Sequence, residues 1–319
     1  MKNKKVIMTF SSLMIIIFHL WLYVTKPDSN LYIIETYLRY ISYIGVDIFF
    51  FLSAYSLARS KIDNYSSFIK SRFQKIYVKF IFFSILAFLL NNWKFSKLLK
   101  IISGFEFFLK GGGSFLWFIP AIMIIYLLLP LYKKIDNKKL TPIITIISYL
   151  LLVIILSIYE KTTLLIFLNR IPIILLGYYF SKLNVLEKLE KNNFLYFSLT
   201  LFLGILGLLL NYYVYKNHFS LKYFQDIFYC LSIPLTLGVI LLLNKIKTNK
   251  IFNYLGSITL ENYAIQMIFG YSLTSKLLKI INNNLLVNIL SIILVFSISA
   301  IFNFIFNNIL HRLLSKNHI

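Results

Sequence analysis

The sequence predicts an all-α protein, a polytopic membrane bundle of about ten transmembrane helices forming one domain over residues 1–319. Three observations carry that expectation. Apolar residues make up 59% of the chain and charged residues only 14%, where soluble domains run at roughly 45–50% and about 25%. Mean hydropathy is +0.78. Apolar stretches long enough to cross a bilayer alternate with short polar joints that carry turn residues.

Taken in order, the spans are placed at 6–24, 40–58, 76–92, 115–132, 141–158, 163–181, 194–215, 224–243, 258–275 and 285–310. The first follows the basic Met1–Lys5 and runs on to Val24. Thr25–Asn30 offers no small-x-small cleavage site, so the stretch is read as a retained span and not a cleaved signal. The second contains Gly45-Val-Asp-Ile-Phe-Phe-Phe-Leu-Ser-Ala-Tyr55. A basic loop follows it, with Arg59, Lys61, Lys70, Arg72 and Lys75 against Asp63. Between the third and fourth spans, Phe95–Phe105 sets apolar residues at helical spacing beside Lys97 and Lys100, the pattern of a helix lying in the interface plane. Gly111–Gly113 reads as a hinge ahead of the fourth span, since no lysine follows it as a phosphate loop requires.

The net charge is +22. Nucleic-acid binding is excluded, because the basic residues lie in short loops and form no continuous face. Anionic lipid headgroups are the partner this charge fits, and a compositional bias toward Lys, Asn and Ile accounts for part of it. With the N-terminus in the cytosol, the inner loops hold roughly twice as many Lys and Arg as the outer ones, so both termini are placed inside a plasma membrane. Cys230 is the single cysteine, which rules out an intramolecular disulfide. His218, His311 and His318 are scattered without metal-ligand spacing, and neither a metal nor a bound cofactor is expected.

Ionisable groups inside spans point to chemistry. A charged side chain at a helix centre costs roughly 2.5–3.5 kcal/mol, so its presence has a functional reason by default. His19 lies in the first span, about 20 Å from Val6 at 1.5 Å per residue. Imidazole suits a general base near neutral pH, and its bland alternative is an interhelical packing contact. Asp47 would orient His19 or bind acceptor hydroxyls. Its alternative is an ion pair with Arg170 or Lys79 that fixes the helices.

The string Gly45–Ala54 with His19 before it resembles the Gly-x-Asp-x-Phe-Phe-x-x-Ser-Gly signature of the membrane acyltransferase-3 family of O-acyltransferases, Ala54 standing where the family has glycine. Ser71-Arg-Phe-Gln-Lys-Ile-Tyr77 resembles its Arg-x-x-Arg-Ile-x-Pro element, with Lys75 for the second arginine and Val78 for proline. Phe115-Leu-Trp-Phe-Ile-Pro120 and Asn169-Arg-Ile-Pro-Ile-Ile-Leu-Leu-Gly177 resemble two further elements. Leu255-Gly-Ser-Ile-Thr-Leu-Glu-Asn-Tyr263 resembles a later one, with Gln266 replacing a histidine.

The resemblance implies transfer of an acyl group, acetyl in the first instance, from cytosolic acyl-CoA as co-substrate to a hydroxyl of a cell-surface glycan or its lipid-linked precursor. It implies His19 and Asp47 as catalytic residues, Arg72, Lys75 and Arg59 as the donor site, and Arg170, Ser53, Trp117 and Tyr263 as substrate contacts. Trp117 is equally an interfacial anchor by its type. The alternative function is a transporter or flippase for a lipid-linked glycan, which also buries ionisable residues but more often shows repeated halves or interrupted helices.

Overall fold

The computed structural model describes residues 1, 3–24, 31–137, 140–159, 162–216 and 230–315. Thr25–Asn30, His218, His318 and residues 224–229 of the eighth expected span lie outside them. The described residues are helical with no strand. The helices are α1 (Lys4–Leu20), α2 (Tyr32–Ile41), α3 (Ile44–Arg59), α4 (Tyr65–Arg72), α5 (Val78–Leu90), α6 (Phe95–Ile102) and α7 (Phe105–Lys110). They continue as α8 (Phe118–Ile135), α9 (Leu140–Ile158), α10 (Thr162–Leu168), α11 (Ile171–Lys182), α12 (Val185–Glu190) and α13 (Asn193–Lys216). The last four are α14 (Ile233–Asn244), α15 (Lys250–Leu255), α16 (Thr259–Ile280) and α17 (Asn284–Ser315).

Among the described residues, 7 helices are long and apolar enough to cross a membrane: Tyr32–Arg59, Tyr65–Leu90, Phe118–Ile135, Leu140–Ile158, Leu164–Lys182, Asn193–Lys216 and Asn284–Asn308. The first, eighth and ninth expected spans fall outside that set for separate reasons. Helix α1 stops at Leu20 after 17 residues. Helix α14 is described over 12 residues. Helix α16 has 22 residues but carries Glu261, Asn262 and Gln266 on its buried side.

Two expectations are corrected. The segment expected as a basic loop after the second span is helical from Tyr65 onward, residues 60–64 alone forming the connection. Asn64 caps α4 by accepting the Ser67 N–H at 3.1 Å, and the helix passes into α5 through a π turn, Phe73–Tyr77. Val78 keeps the backbone N–H that proline would lack, so nothing breaks the helix there. The Gly111–Gly113 run, expected as a hinge, forms one turn of 3-10 helix. The interface-plane segment is helical as expected: α6 buries Leu98 and Ile101 and exposes Phe95 and Leu99.

The chain divides into two compact units, one of Val46–Leu242 and one of Lys2–Gly45 with Leu243–Ile319. In the first, α3 and α11 meet at Gly177, where a Cβ would lie 2.5 Å from the Phe51 carbonyl oxygen. Backbones approach this closely only over a residue without a side chain. Rings of Phe50, Phe118 and Phe167 fill the adjoining core. One end of this unit is tied by polar contacts. Lys133 Nζ donates to the Ala58 and Ser60 carbonyls at 2.7 and 2.9 Å, satisfying carbonyls at the end of α3. Lys182, Tyr178 and Tyr179 all donate to the Asp136 carboxylate.

In the second unit, α1 packs against α15, which runs opposite to it, and lies parallel to α16. Thr9 Oγ1 donates to the Phe252 carbonyl at 3.1 Å, Asn262 Nδ2 donates to Ser12 Oγ at 3.1 Å, and Leu20 lies against Gly270. Eight residues along one helix thus match eight along the other, which places Gln266 level with Ile16. Gly45 ends this unit, with a would-be Cβ 2.6 Å from the Ser11 carbonyl oxygen, and Ser11 Oγ donates to the Gly45 carbonyl at 2.5 Å.

Candidate active site

Each unit carries part of the residue set singled out in the sequence. In the first, Asp47 is on the first turns of α3 and Arg170 caps the N-terminus of α11, both 2% exposed. Arg170 Nε stands 2.8 Å from Asp47 Oδ1, an ion pair that lacks the alignment of a good hydrogen bond. Ser232 Oγ, just ahead of α14, donates to Asp47 Oδ2 at 3.1 Å. Beside Arg170, Tyr149 Oη donates to Asn169 Oδ1 at 2.9 Å and lies 3.2 Å from Cys230 Sγ. Of the two roles open to Asp47 in the sequence, the structure contains the ion pair with Arg170. The pair orients the carboxylate as well as anchoring two helices, so it removes neither role.

Arg72 closes α4. Its guanidinium lies over two rings, 5.1 Å from the Phe68 centroid and 5.3 Å from that of Tyr126. Tyr126 in turn shares a hydrogen bond with Ser53. Ser53 therefore steers the ring on which Arg72 rests. Arg72 forms no ion pair with a carboxylate among the described residues. A guanidinium whose charge is met by aromatic rings keeps N–H groups for an anion. Lys75, one turn on in the π segment, is exposed.

Arg59 is differently placed. It pairs with Glu187 Oε1 at 2.7 Å, donates to Asn184 Oδ1 and Ser181 Oγ, and lies over the Tyr55 ring. Its charge is already answered within the fold. Trp117 is buried at the start of α8, with its ring centroid 6.3 Å from that of Phe50, so it packs in the core and is not an exposed anchor.

In the second unit, His19 is in the last turn of α1, half-buried, edge-on to Phe18 at 5.2 Å. Neither ring nitrogen has a hydrogen-bond partner among the described residues. An imidazole with both nitrogens open can accept one proton and donate another. Tyr263 is buried on α16, one residue after Asn262.

Residues that the sequence reading passed over are Tyr126, Ser232, Tyr149 and Asn169 in the first unit and Glu35, Asn288 and Ser291 in the second. A signal existed for some of them. Glu35 is an acid between Ile33, Ile34 and Leu38, and Asn288 and Ser291 sit at i, i+3 within an apolar run. Nothing local marks Tyr126 or Tyr149, because tyrosine is common throughout this chain.

A polytopic helical bundle with buried ionisable residues defines a membrane-embedded protein. The particular class follows from comparison. Residues 9–306 match the Acyltransferase domain of the acyltransferase-3 family. The chain belongs to that family, and it is a membrane acyltransferase. No curated protein and no solved structure matches it. Among the described residues no group of His, Cys, Asp and Glu is arranged to hold a metal ion.

Proposed function

We propose that this acyltransferase moves an acetyl or similar acyl group from cytosolic acyl-CoA to a hydroxyl of a cell-surface glycan or its lipid-linked precursor. It would work in the plasma membrane with both termini in the cytosol. The observation that carries the donor half is the state of Arg72, which lies over two rings and is paired with no carboxylate among the described residues. A bidentate guanidinium edge fits the phosphates of coenzyme A, and exposed Lys75 adds charge beside it. Arg59, engaged with Glu187, contributes to the field and not to a direct contact.

The acceptor half rests on His19. Its imidazole takes the proton from the attacking hydroxyl, whose oxygen forms the new ester bond at the thioester carbonyl. The carbon–sulfur bond breaks, and the imidazolium returns the proton to the departing CoA thiolate. Asp47, Arg170, Ser53 and Trp117 in one unit and Tyr263 in the other are taken as catalytic or substrate residues on the strength of the family motifs they belong to. Anionic lipids would neutralise the basic loops. Enzyme membership weighs against the flippase reading.

Two measurements test this. His19→Gln preserves size and hydrogen bonding but accepts no proton at neutral pH, so acylation of surface glycans, read by mass spectrometry, should fall by roughly 10²–10⁴-fold. Near-normal acylation in that variant would remove His19 as the base. Acetyl-CoA binding to the purified protein should weaken as salt rises, and more in Arg72→Ala than in Lys75→Ala. Equal, unaltered binding in both would remove this segment from the donor site.

A further inference from the structure

Helix α2 shows an inversion of normal membrane practice. It exposes Ile33, Ile34 and Leu38, the first at 71%, and the one residue it buries is Glu35, at 2%. Among the described residues the one hydrogen bond to that carboxylate comes from Asn288 Nδ2 to Oε1 at 3.2 Å, and Oε2 has no partner. A single neutral amide does not offset the burial of a carboxylate. Further buried groups of the same unit are also unpartnered among the described residues. They are both amide atoms of Gln266, at 3% exposure, the Asn288 carbonyl oxygen, Ser291 Oγ and the indole N–H of Trp21.

These groups sit on elements that all pack against α1 or continue it: α2, α16, α17 and the short turn Trp21–Tyr23. Gln266 is level with Ile16, one helical turn from His19, and Trp21 is two residues beyond His19. The chemistry of the set is mixed. Gln266 Nε2 and Trp21 Nε1 donate, Glu35 Oε2, Gln266 Oε1 and Asn288 Oδ1 accept, and Ser291 Oγ does both. A metal ion would call for acceptors alone. A hydroxyl both donates and accepts, and several hydroxyls on one ring need such a mixture.

We propose that Glu35, Gln266, Asn288 and Ser291, with the Trp21 N–H, form the recognition wall for a polyhydroxylated acceptor beside His19. This rests on the glycan reading above and assigns the residues that would select it. The ligand would complete hydrogen bonds that the protein leaves open, and an acceptor lacking the matching hydroxyls would leave them buried and unmet.

The test uses full-length protein in lipid nanodiscs, radiolabelled acetyl-CoA, and envelope glycan from a strain lacking the gene, titrated as acceptor. Gln266→Leu and Glu35→Gln should each raise half-saturating acceptor at least tenfold, with acetyl-CoA affinity unchanged. Gln266→Leu should also keep or raise the melting temperature, since it removes an unpaired buried amide. Unchanged half-saturation in both variants, with wild-type protein active, would overturn this wall alone. A melting temperature that falls in Gln266→Leu with no change in acceptor dependence would make the amide structural and overturn its assignment. Wild-type protein that transfers nothing to the glycan would overturn the glycan reading, and this wall with it.

Discussion

Each unit buries one carboxylate on a helix near the start of the chain, Asp47 in one and Glu35 in the other, and surrounds it differently. In the Val46–Leu242 unit, Asp47 faces Arg170 and accepts from Ser232, and Tyr149 binds Asn169. In the other unit, Glu35, Gln266 and Ser291 are as deeply buried but keep atoms without partners. Both arrangements occur in one chain under the same apolar solvent. The difference teaches that burial alone does not define a polar group's role: Asp47 is held by a cation and a hydroxyl, whereas Glu35 is met by one amide among the described residues.

The largest break in that contrast should come from Arg170→Ala. Leaving Asp47 buried without its cation costs about 3–5 kcal/mol, and thermal unfolding in nanodiscs should show it. The double change Asp47→Asn with Arg170→Gln should recover much of the loss. A double variant no more stable than Arg170→Ala would mean the pair is not the anchor. Next in size is Gly177→Val, which drives a side chain into the Phe51 backbone and should cost at least about 1–3 kcal/mol.

A matched pair of substitutions sharpens the contrast directly. Ser232→Ala removes a hydrogen bond to a carboxylate and should destabilise by about 1.5–3 kcal/mol. Ser291→Ala removes an equally buried hydroxyl with no partner and should be neutral or stabilising. Equal losses from the two would erase the distinction between the units.

The smallest effect is at Asp136, outside the spans. Burial raises the pKa of this carboxyl, but hydrogen bonds from Lys182, Tyr178 and Tyr179 outweigh it, and the net shift is downward from 3.8. A carboxyl depressed on folding contributes stability that is present above its unfolded value and lost as pH falls through its folded one. Stability should therefore decline as pH drops below about 4, and Asp136→Asn should flatten that limb of the pH curve.

Much of the bundle was legible because period and hydropathy are local properties. The spans at 141–158, 163–181 and 194–215 coincide closely with helices. What local reading missed depended on partners distant in sequence. The segment around Arg72 looked like a loop because its charges were conspicuous, whereas the Asn64 cap and the absence of proline at 78 decided for helix. Asp47 and Arg170 were both conspicuous as lone charges, and their union required 123 residues of chain to return on itself. Glu35 lay in the connection between the first two expected spans, where an acid draws no notice, and only burial set it apart.

The π turn at Phe73–Tyr77 has a consequence for where Arg72 points. A π turn is an α-helix carrying one surplus residue in a widened turn. Deleting a single residue there would let the backbone close as regular α-helix, with α4 and α5 intact and still in phase. Keeping that residue but tightening the segment to regular α-helix would instead set the two halves out of phase by about 100°, the rotation per residue at 3.6 residues per turn. Arg72 would then swing away from Tyr126 while the apolar face of α5 stayed where it was. The widened turn acts as a phase setting, letting the guanidinium keep its direction despite the extra residue.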